Sequence, residues 1–171
     1  MSKKITNYFQ GLLVTILFFV VTINLFAQPA LPQRSISVNS TQSIQFGIFA
    51  LTGGAGGTVS VGWDGSRTAT GNIALLAMAP MAQPAIFEIK LCQGRNVSIT
   101  YPPTTTLTGD GGGNLTLEIG PTEKGSNGAF FPTNNNCNFI TILRVGGKLH
   151  IPVAAIPGNY TGNFYITFNQ E

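Results

Sequence analysis

One histidine, two cysteines and a handful of acids bound the chemistry this chain's side chains could perform. His150 alternates with Leu149 and Ile151, which turns its ring to the other, wetter face of a strand or to a sheet edge. A catalytic histidine needs an oriented partner, and no spacing nominates one. Beyond residue 27 and before the terminal Glu171, the acids are Asp64, Glu88, Asp110, Glu118 and Glu123. A glycosidase would need two of them facing each other. Three stand in turn-like or loop-like sequence, and Glu88 alternates with inward residues as a solvated strand position. The residue inventory therefore predicts no catalytic residue, no enzyme, and no cofactor or metal site.

The glycine-rich stretches lead to the same expectation. GGAGGTVSVGWDGSRTATG, from Gly53 to Gly71, lacks the Lys-Ser or Lys-Thr of a phosphate loop and runs straight into an alternating strand, so it reads as a loop feeding a β-hairpin. GDGGGN, from Gly109 to Asn114, resembles one fragment of a calcium-binding nonapeptide, but such sites arise from stacked repeats and there is one copy. Trp63, Tyr101, Tyr160 and Tyr165 could stack on a sugar. Trp63 shares parity with Val59 and Val61 and reads as core or hairpin end. Tyr165 reads as an exposed ring, and one ring is not a binding platform.

The elements that would position these residues are strands. Apolar residues recur with period two at Ile44/Phe46/Ile48, Val59/Val61/Trp63, Ile73/Leu75/Ala77, Ala85/Phe87/Ile89/Leu91, Val97/Ile99/Tyr101, Leu115/Leu117/Ile119, Phe139/Leu143/Val145, Leu149/Ile151/Val153 and Phe164/Ile166/Phe168. Glycine-rich turns separate them, and Asp64–Gly65 and Gly146–Gly147 are short enough for tight hairpins. About nine short strands at roughly ten-residue spacing, without helical crossovers, predict an antiparallel β-sandwich, with a barrel second. Pro121–Asn138 reads as the longest irregular loop, tied by Cys137 to the end of the Cys92 strand.

The first residues say where this domain works. Lys3 and Lys4 precede a 16-residue apolar run, Gly11–Phe26, that ends at Ala27, Gln28 and Pro29. That is the build of a secretory signal peptide, and the run is short of the roughly 20 residues that span a bilayer. Residues 1–27 are thus expected to be cleaved, leaving one domain over residues 28–171 with no transmembrane segment. Removing Lys3 and Lys4 lowers the formal charge from +3 to +1. Arg34, Arg67, Lys90, Arg95, Lys124, Arg144 and Lys148 are scattered, so no nucleic-acid partner is expected. An even cysteine count in an exported chain predicts a Cys92–Cys137 disulfide, ahead of two free thiols or half a metal site.

Three stretches carry a resemblance: FGIFALTGGAGGTVSVGWDGSRTATGNIALL, QPAIFEIKL and VGGKLHIPVAAIPGNYTGNFYITF. Together they resemble the exported bacterial family called domain of unknown function 4402, related in style to spore-coat-protein-U and fimbrial pilin domains. The resemblance spans about residues 44–168 and brings no catalytic residue. It implies an immunoglobulin-like or pilin-like sandwich at a bacterial surface and raises pilin-type strand exchange, in which a subunit accepts a neighbour's strand. Tyr160, Gly162, Phe164, Ile166 and Phe168 share one face, which would serve either exchange or an ordinary final strand. A donor is harder to find, because Pro29, Pro32 and Arg34 interrupt the segment after the leader. The expected function is a non-catalytic structural or adhesive component of the cell envelope or of a fimbria-like assembly, in the periplasm, at the outer surface or outside the cell. Its partners would be an envelope or fimbrial protein, or further copies of itself. The runner-up is a secreted, monomeric carbohydrate- or protein-binding module, for which a glycan is the candidate ligand.

Overall fold

The computed structural model describes Leu13, residues 34–134 and residues 136–170. The expected signal peptide, residues 1–27, lies outside this range apart from Leu13. Gln33–Glu171 forms one compact unit. From residue 34 on, the described chain is all β, with thirteen strands where alternation alone suggests about nine.

The main sheet is antiparallel, in the order β1 (Ser35–Gln42), β6 (Ala85–Cys92), β11 (Thr141–Ile151), β9 (Asn114–Thr122), β8 (Thr104–Gly109) and β12 (Tyr160–Thr161). The 11-residue β11 is long enough to take two partners end to end. Its first half pairs with β6, and its second half with β3 (Gly57–Val61), which carries β4 (Arg67–Gly71) outside it. Three strands, β10 (Phe130–Pro132), β7 (Asn96–Thr100) and β13 (Thr167–Gln170), form a second sheet in that order. A two-stranded ribbon joins β2 (Ile48–Leu51) to β5 (Ile73–Leu76).

Alternation puts one side of each strand into the core. Leu115, Leu117 and Ile119 of β9 are buried while Asn114 and Thr116 are exposed, and Val59 and Val61 of β3 follow the same rule. Leu143, Val145, Leu149 and Ile151 of β11 meet Ile89 and Leu91 of β6 and, from the second sheet, Val97, Ile99 and Phe131 in one cluster. The result is a β-sandwich.

Several local expectations fail for physical reasons. Gly146 and Gly147 do not form a hairpin; they lie inside β11, where a bulge interrupts the register with β9. A Cβ on Gly146 would stand 2.5 Å from the Val61 carbonyl oxygen, so this glycine admits a neighbouring backbone and does not turn the chain. The Phe139 ring is 54% exposed, outside the face that Leu143 and Val145 share. Of the two readings of Trp63, core or hairpin end, the second holds: it is exposed at the hairpin tip, which is closed by the Gly62 N–H donating to Ser66 O at 2.8 Å. Pro121–Asn138 is not wholly irregular, since it holds the end of β9 and all of β10, with Phe131 buried. The last strand breaks into β12 and β13, with residues 162–166 outside any strand.

Candidate functional site

His150 is exposed, as expected, but it is not at an edge, because β3 and β9 flank it. Its Nε2 lies 3.0 Å from Glu118 Oε2, and Lys148 Nζ lies 3.5 Å from the same oxygen. The His150 hydrogen bond holds the Glu118 carboxyl below its ordinary pKa, with Lys148 adding to it against the opposing effect of desolvation. Two exposed side chains around one carboxylate form a surface ion cluster with no nucleophile hydrogen-bonded to the ring among the described residues.

The other acids serve local structure. Glu123 accepts from Arg144 Nη1 at 2.8 Å. Asp64 accepts from Ser66 Oγ and the Ser66 N–H, which lowers its pKa and shapes the hairpin tip. Asp110, in the glycine-rich loop, accepts from Asn159 N–H at 3.0 Å and Asn159 Nδ2 at 2.9 Å, so its pKa too is lowered. Gly158 leaves the room this needs, since a Cβ there would strike the Asp110 carboxylate. Among the described residues no three His, Cys, Asp or Glu side chains gather as metal ligands. No described helix is long and apolar enough to cross a membrane.

Cys92 and Cys137 are joined in a disulfide, with Cα atoms 4.7 Å apart. It ties the end of β6 to the loop ahead of β11.

An apolar groove of about 1030 Å3 opens on the domain. Leu107, Leu115, Leu117, Leu149 and Ile151, from the main sheet, form its floor. One wall is Ile44–Leu51, which includes β2. The other is Ala155–Phe164, which includes β12.

Each wall carries a strand whose outer edge has no strand partner among the described residues. β2 pairs only with β5, and β12 is the last strand of its sheet. Thr52 N–H donates to Asn72 O at 2.9 Å, so ladder alternation points the backbone groups of Phe49 and Leu51 away from β5. Asp110 N–H donates to Asn159 O at 3.0 Å, which by the same alternation turns those of Tyr160 and Gly162 away from β8.

Both walls are pinned. Arg67 donates from Nη2 to Ile48 O at 2.7 Å and from Nη1 to Leu76 O at 3.1 Å, gripping the β2–β5 ribbon, and burial lowers its pKa. Asp110 grips Asn159 beside β12, and Tyr160 Oη donates to Ile156 O at 2.6 Å.

The five-residue face read from the sequence divides between two tasks. Tyr160, Gly162 and Phe164 line the groove. Phe164, Ile166 and Phe168 also pack on the core, with Phe87 at ring-centroid distances of 6.3 Å from Phe164 and 5.9 Å from Phe168. Sequence reasoning missed the opposite wall and Arg67. The only signal was the apolar run Ile44–Leu51, which reads as an ordinary strand.

Against known proteins, the model of a family described as a domain of unknown function, DUF4402, matches residues 36–169. No curated protein and no solved structure matches.

Proposed function

The chain belongs to the DUF4402 family, and from that premise we propose that it is an exported, non-catalytic structural component of a bacterial envelope or fimbria-like assembly, joined to its neighbour by strand uptake. One observation carries this reading: an apolar groove bordered by two free strand edges. An inserted strand would gain main-chain hydrogen bonds from those edges and bury alternate side chains on the leucine floor. The Cys92–Cys137 disulfide supports export, because such bonds persist in oxidising compartments.

The test is an immunoblot of unboiled envelope and culture-medium fractions from the source cell. Strand uptake predicts an envelope-bound species heavier than the monomer that collapses on boiling and is lost in Ile156→Glu. Ile156 is 44% exposed on the groove wall, so this change charges the groove at little cost to the fold. Finding only free monomer in the medium would reject the reading.

A further inference from the structure

Resting on that reading, we propose that the groove is filled by a strand from a different protein and not by a second copy of this chain, so that the molecule accepts a strand without donating one. No charged side chain lines the groove. The strand edge on the Ile44–Leu51 wall, β2 at Ile48–Leu51, offers ~13 Å at ~3.3 Å per residue. The occupant is therefore an uncharged, extended segment of at least four residues with large apolar side chains at alternate positions.

The chain's own candidate does not have this pattern. After the expected cleavage, the segment ahead of β1 reads Gln28-Pro-Ala-Leu-Pro-Gln33. Ala30 and Leu31 are adjacent, so in a strand they face opposite sides and at most one large side chain points inward. Pro29 and Pro32 remove two donors from the ladder, and Arg34 follows.

The segment also leaves from the wrong place. Ser35 pairs with Cys92 at one end of β1, whereas the groove meets β1 at its other end, at Ser40 and Gln42. Those ends are ~23 Å apart along the strand. The nearest groove residue of β1, Ser40, is ~17 Å from Ser35, and the seven residues 28–34 reach at most ~25 Å, so about two of them could enter their own groove and the segment cannot fill it. The alternating residues at the other terminus are engaged, with Phe164 and Phe168 against Phe87.

The test uses the oxidised mature protein, residues 28–171. Light scattering should show a monomer across micromolar concentrations. A labelled synthetic peptide alternating threonine with leucine or valine should bind at least tenfold more tightly than its scrambled form or a peptide of residues 28–36. Ile156→Glu should weaken that binding at least tenfold while melting like the parent. Ala155→Arg, on the same wall, serves if the first variant misfolds. Oligomers that disappear when residues 28–33 are removed, or equal binding of the 28–36 peptide, would overturn the foreign-strand inference and leave strand uptake standing. Failure of every peptide to bind, with an Ile156→Glu blot like the parent's, would overturn both.

Discussion

Replacing Gly146 with alanine tests whether this glycine admits a neighbouring backbone or turns the chain. The added Cβ would meet the Val61 carbonyl oxygen at 2.5 Å, Trp63 N at 3.0 Å and Gly62 C at 3.1 Å. Ordinary contact begins near 3.4 Å, and all three atoms are backbone, so β3 would have to retreat by ~0.9 Å from the strand it pairs with. Overpacking of this kind costs about 2–3 kcal/mol. For a domain of this size that lowers Tm by roughly 6–12 °C. Gly147→Ala should cost less, because two of its three nearest atoms are the side-chain tips Leu117 Cδ1 and Ile44 Cδ1. Gly54→Ala meets nothing within 4 Å and should be neutral or raise stability by about 0.5 kcal/mol, through the unfolded chain. Calorimetry of the three variants gives the ranking. A Gly146→Ala protein melting within 1 °C of the parent would refute the close-approach argument.

Reducing the disulfide, or Cys92→Ser with Cys137→Ser, should cost up to about 4 kcal/mol on the chain-entropy account of a 45-residue separation, read as a lower denaturant midpoint. Leu143→Ala, at a fully buried position, should cost about 2–5 kcal/mol by the same measurement. Arg67→Ala removes two charge-assisted hydrogen bonds from the β2–β5 ribbon, and hydrogen exchange in Ile48–Leu51 should rise at least tenfold. The folded pKa of Asp110 lies below the ordinary 3.8, so its contribution is complete above 3.8 and lost as pH falls through the folded value. Exchange at the Asn159 amide should therefore rise in that acid range after correction for intrinsic rates, and Asp110→Asn should abolish the pH dependence.

The sandwich was legible because its signal is local: period-two burial survives in any strand with one wet face. β9 and β6 show it plainly. β8 does not, because it offers a single buried apolar residue, Leu107, among threonines, and its place comes from pairing with β9. Gly146–Gly147 misled because a glycine pair signals both turns and close approach, and a partner 85 residues away decides between them. Of the groove only one wall, the alternating face of Tyr160, Gly162 and Phe164, was legible locally. Its walls are about 110 residues apart in sequence, and what defines it is that no strand of the described residues lies between them. Arg67 was one scattered cation until the carbonyls of Ile48 and Leu76 converged on it.

An open groove with two free edges invites any extended chain, including copies of itself, so its surroundings must disfavour the wrong occupant. Here the discouragement is in the segment most available for self-insertion. Pro29 and Pro32 withhold ladder donors, Arg34 would bring charge to an uncharged groove, and Ala30 is too small to fill a leucine-lined floor. Replacing one Leu-sized inward side chain by alanine forfeits about 2 kcal/mol of apolar burial, some 30-fold in affinity. Two such positions and a missing hydrogen bond separate a micromolar fit from a millimolar one. The proline and arginine that make this segment a poor donor thus act together with its exit at the Cys92 end of β1. The residue pattern disfavours donation to a second copy, the exit disfavours return to the chain's own groove, and a chain that accepts without donating ends an assembly instead of extending it.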